Sequence, residues 1–294
     1  MFVLASFHGN KINPSRFSLG QLKFFVFLVP LGIIMVLPIF FIFSQSLKPL
    51  DELFLYPPTF LVQKPTFENI GSLLTVADIT RIPATKYLFN SLMITLFVVV
   101  LSLVISAMTG YALSKKQFRL RKVLFEVNTI ALMFVPAAVT IPRYLVVEKL
   151  GLINTYMGHI LPLLALPVGV FLIKQFVDQI PNELIEAAQI DGATDITVFA
   201  KIVMPIIQPA MATVAILAFQ AAWNNTETST LYMSQETLKT FAFYMTTLTS
   251  TVGNNVAGQG MAAAAALLMF VPNLIIFIFM QSRVMDTMAH SGIK

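Results

Sequence analysis

From residue 24 to residue 44 the chain carries no charged side chain, and that run leaves it few places to fold. A bilayer core of about 30 Å is crossed by roughly 20 apolar residues in a helix, the segment that satisfies its own backbone groups in lipid. The run outlasts the apolar core of a cleaved signal, and Ser44-Gln45-Ser46-Leu47-Lys48 makes a poor cleavage site, so it reads as a retained first span. Pro30 and Pro38 would kink it, which neighbouring helices accommodate. Further apolar runs cover about 88–113, 123–142, 156–175, 203–223 and 261–281. With 57% hydrophobic residues, 11% charged residues and a mean hydropathy of +0.80, the chain has no room for a separate globular domain. The expected fold is all-α and membrane-embedded, with six transmembrane helices: an N-terminal segment 1–23, a six-span domain 24–281 and a C-terminal tail 282–294.

Six spans put both termini on one side. With the N-terminus inside, 12 of the 19 Lys and Arg residues fall in cytoplasmic segments and 7 in the longer external ones. The positive-inside bias therefore assigns both termini, and the segment between spans four and five, to the cytoplasm. The pI of 9.4 would suit a nucleic-acid binder, but the basic residues sit at span ends and form no stripe, so no nucleic-acid partner is expected. Lys115, Lys116, Arg119, Arg121 and Lys122 after span two read as a topological anchor and not as a binding patch.

Several chemistries are absent. The chain has no cysteine, and His8, His159 and His290 lie in separate segments, so no metal site is expected. It has no Gly-Lys pair, hence no phosphate loop, and neither His-Glu-x-x-His nor Gly-x-Ser-x-Gly. The chain should bind no cofactor and hydrolyse no ATP by itself.

Against this apolar background Glu186–Pro205, EAAQIDGATDITVFAKIVMP, is the long charge-bearing interruption of the second half. A short helix would begin at Pro181, whose fixed φ suits a first helical position, with Glu183 and Glu186 near its positive end. Ala187 and Ala188 leave one face nearly flat. Gly192 would stop the helix, and Thr194 or Asp195 would cap a second one running to Pro205. An acidic helix pair, with Asp178, Glu183, Glu186, Asp191 and Asp195 against Lys174 and Lys201, would be repelled by anionic headgroups and suits a protein partner better.

Glu186, Ala187, Ala188, Gly192, Ile202 and Pro205, with Met204 in place of a leucine, resemble the EAA loop of the permease subunits of ATP-binding-cassette importers. The resemblance covers about residues 24–281 and is strongest over 150–205, including Leu150-Gly151-Leu152-Ile153-Asn154-Thr155. The carbohydrate permeases of the maltose-permease type are the nearest in character. It implies a six-span subunit of an ATP-driven sugar or oligosaccharide importer in a bacterial inner membrane. The loop at 178–205 would hold the coupling helix, with Glu186, Ala187, Ala188, Asp191, Gly192 and Pro205 as its key residues. Implied partners are a second homologous permease, two cytoplasmic ATPase subunits that carry ATP and Mg, an external solute-binding protein and membrane lipid.

Other candidates admit two readings. Gln220, Trp223 and Asn224 either line a path for a neutral polyhydroxy solute or form an interfacial tryptophan belt with polar capping. Asn90, Ser91, Thr140 and Asn273 either face that path or join helices. Gly253, Asn254, Asn255 and Gly258 either reach into a docked binding protein or belong to a flexible connector. Tyr56-Pro57-Pro58-Thr59-Phe60 is either the first external loop of such a permease or a plain Pro-rich link. Glu126 either couples an ion or pairs at the interface. A secondary transporter of a small polar solute is the alternative function; it calls for inverted repeats and ion-coupling residues, and inspection finds neither. A membrane enzyme would need a nucleophile or metal constellation that the chain lacks.

Overall fold

The computed structural model describes residues 22–75, 82–252 and 255–291, and every regular element among them is helical. Three helices are long and apolar enough to cross a bilayer: α1 (Leu22–Ser46), α4 (Ala84–Lys115) and α15 (Val256–Ser291). Between α1 and α4 lie α2 (Leu50–Leu53) and α3 (Glu68–Thr75). Residues 1–21 and 292–294 lie outside the described set. The helix of α15 runs on past residue 281, so the boundary expected there falls inside one element.

The middle runs are broken. At 123–142 the chain forms α5 (Arg121–Ala131) and α6 (Pro136–Lys149), bent by 116°. At 156–175 it forms α7 (Tyr156–Leu164) and α8 (Pro167–Asp178), bent by 43°. Prolines explain both breaks. Pro136 and Pro167 open α6 and α8, and the residues before them leave the helical region, Val135 at φ −71°, ψ 128° and Leu166 at φ −114°, ψ 78°. Counting each bent pair as one span raises the three long helices to as many as six candidate spans.

After α8 come α9 (Asn182–Ile190), α10 (Asp195–Val198), a π-helical turn (Phe199–Val203) and α11 (Met204–Ile206), then α12 (Gln208–Trp223) at 80° to the helix before it. The stretch expected as an external loop to about residue 260 is mostly helical: α13 (Glu227–Tyr232), a 3-10 turn (Glu236–Leu238) and α14 (Phe241–Val252) precede α15. Its apolar Phe241, Tyr244, Met245 and Leu248 are buried with Trp223 and with Ala264 and Ala265 of α15, which a flexible connector would leave in water.

α4 is the axis of the bundle. Its Ser102, Ser106 and Gly110, one turn apart, are buried and let α8 lie close. A Cβ on Gly110 would come within 2.6 Å of Ile173, and one on Gly169 within 2.7 Å of Ser106 Oγ. The polar segment after α1 is also built: Glu52 is buried and accepts from the Gln63 amide at 2.8 Å, while the buried Lys48 ammonium donates to the Thr59 carbonyl. The Tyr56–Phe60 stretch is thus held at its Thr59–Phe60 end, while Tyr56 stays 95% exposed. By contrast, α1 is apolar all round and exposed from Phe24 to Phe41.

Candidate functional site

The EAA stretch folds as two helices hinged at a glycine. α9 begins at Asn182, with Pro181 in the preceding cap position and not in the first turn. It ends in a Schellman motif: the Ala193 amide donates to the Ala188 carbonyl at 2.9 Å and the Gly192 amide to the Gln189 carbonyl at 3.0 Å. Gly192 takes φ +84° to close it. Thr194 caps α10 by accepting from the Thr197 amide at 3.4 Å. Pro205 is exposed in α11, one residue before that helix ends.

One face of this pair is core. Ile185, Val198 and Val203 are buried with Tyr111 of α4 and with Ile173 and Val177 of α8, and Ala188, Ala193 and Met204 pack against them. The opposite face is open. Glu186, Ala187 and Asp191 are exposed, and so are Ile190 at 86% and Ile196 at 79% of full accessibility. Large aliphatic side chains beside two carboxylates form a ridge suited to a protein partner with an apolar, basic groove.

The ridge is clamped to α4 by residues that, as a basic run in the sequence, mark a topological anchor alone. Lys115 Nζ donates to the Ile180 carbonyl at 2.6 Å and to Asn182 Oδ1 at 2.9 Å, holding the start of α9. Lys116 Nζ lies 2.5 Å from Asp195 Oδ1, holding the start of α10. That hydrogen bond raises the Lys116 pKa above its ordinary value. Asp178, between the two, accepts from Ser114 Oγ at 2.5 Å and pairs with Lys174 at 2.6 Å. These groups border a polar cleft of about 500 Å³ whose walls include Tyr111, Gln117, Arg121, Glu186 and Gln189. The basic run is visible in the sequence, but no spacing rule joins it to residues 65 to 79 positions away.

The solute-path candidates separate. Asn90 is fully buried; its Nδ2 donates to the Thr237 and Lys239 carbonyls at 2.8 and 2.9 Å, and its Oδ1 accepts from the Tyr156 hydroxyl at 2.9 Å. Its amide is engaged in joining α4 to the 237–239 segment. Ser91 likewise accepts from the Phe241 amide at 2.7 Å. Trp223 is 2% exposed, donates from Nε1 to the Met269 carbonyl at 3.1 Å and stacks on Phe219 at 5.8 Å. It is a core tryptophan, and the interfacial belt gives way to the helical cover that α14 and α15 place over it. Gln220 and Asn224 are exposed, and Asn224 pairs with Asn273 at 3.1 Å. Glu126 is exposed and faces Lys122 at 3.9 Å.

Of the four loop residues expected near a binding protein, Gly253 and Asn254 lie outside the described residues. Asn255 is exposed, and Gly258 is buried in the first turn of α15. An ion pair that the sequence reading did not single out, Arg143 with Glu227, joins α6 to α13, and Thr140 Oγ1 donates to the same carboxylate at 3.1 Å. Asn154, at φ +57°, accepts from the Ser234 and Gln235 amides at 2.8 and 3.2 Å and docks the 150–155 turn there.

Residues 102–282 match the family model described as binding-protein-dependent transport system inner membrane component. The chain is 29% identical over 284 residues to the arabinooligosaccharides transport system permease protein of Bacillus subtilis, covering 96% of this chain and 99% of that one. It is 31% identical to the protein of the same name from Halalkalibacterium halodurans, over 90% and 93% of the two chains. To the diacetylchitobiose uptake system permease protein of Streptomyces coelicolor it is 26% identical over 90% and 94%. Among solved structures, a chain of a bacterial ABC transporter involved in the import of the acidic polysaccharide alginate superposes with a TM-score of 0.73 over 92% of this chain and 99% of that one, at 22% identity.

Proposed function

The chain belongs to the binding-protein-dependent transport system inner membrane components, and from that premise we propose that it is the permease subunit of an ATP-driven importer for a sugar or oligosaccharide. It forms half of a six-span-per-subunit translocation path with a second, homologous permease. The names of its relatives, transporters of arabinooligosaccharides and diacetylchitobiose, support a carbohydrate solute. They favour this reading over a secondary transporter. The chain is a transporter component and not itself the ATPase; two cytoplasmic ATPase subunits bind ATP and Mg, and an external solute-binding protein delivers the solute. The membrane is the bacterial inner membrane, with both termini cytoplasmic as the charge bias assigns them.

One observation carries the coupling role. The exposed ridge of Glu186, Ile190, Asp191 and Ile196 sits on a helix pair whose inner face is core and whose two starts are clamped to α4 by Lys115 and Lys116. A push on the ridge is passed to α4 and α8 as a displacement of packed helices instead of being lost in a slack loop. The acidic ridge is accordingly the coupling helix, seated on an ATPase subunit.

Purification of the chain in mild detergent, followed by identification of what comes with it, tests the assembly: an ATPase and a second permease are expected. In the reconstituted complex, substitution of Glu186 or Gly192 should leave ATP hydrolysis running while uncoupling it from transport. Tight coupling in both variants would remove the ridge from the mechanism.

A further inference from the structure

Two breaks in helical backbone, 132–135 and 165–166, open onto one cavity of about 560 Å³, whose walls include Phe134, Val139, Arg143, Val146, Ala165 and Pro167. Arg143 is about two turns inside α6 and just past the apolar run 123–142, in a helix pair bent by 116°, and its side chain keeps 27% of its accessibility. Met133, Phe134 and Val135, on the non-helical segment, are exposed at 80%, 59% and 64%. At membrane depth such backbone is tolerated where it is covered by protein or lines water, and not where it meets lipid. The Arg143–Glu227 pair beside it is only partly buried, at 27% and 36% side-chain accessibility, so it adds little net stability and is a candidate functional group. A water-filled cavity at this place accounts for both observations.

We propose that this cavity is this subunit's part of the solute path, with Arg143 as its hydrogen-bonding group and Glu227 and Thr140 as the residues that position it. The proposal rests on the reading of the chain as a transport subunit. The guanidinium holds five N–H donors in a planar fork, more than the Glu227 carboxylate can use, and spare donors suit the hydroxyls of a saccharide. The Glu227 charge cancels that of Arg143, so the cavity offers donors without net positive charge. The Phe134 ring supplies the apolar face on which a sugar ring can rest. A neutral oligosaccharide fits; a uronate would compete with Glu227 for the same fork.

The chain has no cysteine, so single-cysteine variants report without background. In the complex purified with its partners and returned to lipid, Val139→Cys and Val146→Cys should react with hydrophilic thiosulfonate reagents, while Ile34→Cys in α1 should not. Cationic and anionic reagents should react at similar rates. Glu227→Gln should favour the anionic reagent several-fold, Arg143→Gln the cationic one, and the double variant should restore parity. Co-elution with the partners tells a folded variant from a collapsed one. A mixture of neutral oligosaccharides should slow the reaction more than the matching uronates do.

Silence at both cysteines in an intact complex, or charge selectivity that ignores residues 143 and 227, overturns the proposal. Protection by uronates alone, or by neither mixture, overturns the solute assignment. Reactive cysteines in a preparation that contains no ATPase would instead leave the cavity standing and remove the importer reading.

Discussion

Lys116 and Asp195 meet at 2.5 Å, joining the residue that caps the C-terminus of α4 to the residue that opens α10. The pair is half open to solvent, at 36% and 57% side-chain accessibility, and exposed pairs contribute about 0.2–1 kcal/mol. Its consequence is therefore positional more than thermodynamic. Lys116→Ala or Asp195→Ala should raise amide exchange across 182–206 with little change in the melting temperature of the complex. The reversed pair, Lys116→Asp with Asp195→Lys, should recover part of the protection. Equal exchange in all of them would show that the apolar face holds the hairpin without the clamp.

The same contact sets a pH dependence. The Asp195 hydrogen bond raises the Lys116 pKa above the ordinary lysine value of 10.5. A group raised in this way stabilises fully below its unfolded pKa and loses that contribution as pH rises through the folded value. The clamp should therefore hold unchanged through the neutral range and loosen only in the alkaline range, above 10.5. Amide exchange at 182–206 should agree between neutral and mildly alkaline buffer, once corrected for the intrinsic effect of pH on exchange. A loss of protection well below the lysine range would contradict the assignment.

Gly192 sits at φ +84° with open space where a Cβ would be. The cost of a side chain there is backbone strain and no clash, about 1–2 kcal/mol for an ordinary L-residue. Asn tolerates this region better than Ala does, and Val worse. Coupled transport should fall in the order Gly, Asn, Ala, Val while assembly persists. Equal coupling in the Asn and Val variants would show that the turn can re-form without its glycine.

Why this hinge could be read in advance, and other features could not, follows from range. Glycine stops and threonine caps act within four residues, and a span is declared by its own apolar run. The breaks at Pro136 and Pro167 were only half legible: proline is common inside membrane helices, and whether it kinks or splits one depends on neighbours that can satisfy the freed backbone. A contact such as Asn128 Nδ2 donating to the Pro167 carbonyl at 3.1 Å, across 39 residues, ties the two broken pairs together and has no local sign in the sequence. Arg143 and Glu227 lie 84 positions apart, and each alone reads as a loop charge at the end of a run. Trp223 carries the signal of an interface, because α14, which helps to bury it, lies in a stretch that reads as a loop.

Trp223 is the chain's one tryptophan, and at 2% exposure its emission should be blue-shifted and resist a water-soluble quencher. Trp223→Phe keeps the stacking on Phe219 and loses the bond to Met269, for which about 0.5–1.5 kcal/mol is expected. Trp223→Ala also leaves a cavity, at about 3–5 kcal/mol. Thermal unfolding should rank them so. A red-shifted, readily quenched tryptophan would put this side chain in water and reopen its place in the path.

Asn154 combines a backbone and a side-chain demand. It is at φ +57°, and its Oδ1 accepts from the Ser234 and Gln235 amides. Glycine meets the first demand alone, aspartate meets both, and alanine meets neither. Losing the acceptor costs about 1–3 kcal/mol where the amides are left unpaired, and the left-handed backbone adds about 1–2 kcal/mol for alanine. Asn154→Asp should be mildest, Asn154→Gly intermediate and Asn154→Ala most damaging to the melting temperature of the complex. Ser234 and Gln235 are exposed, so water can replace part of the lost acceptor and the glycine variant should fall toward the low end. An alanine variant no worse than the glycine one would show that the turn relaxes out of its left-handed conformation. The docking of the 150–155 segment would then rest on the side-chain bonds alone.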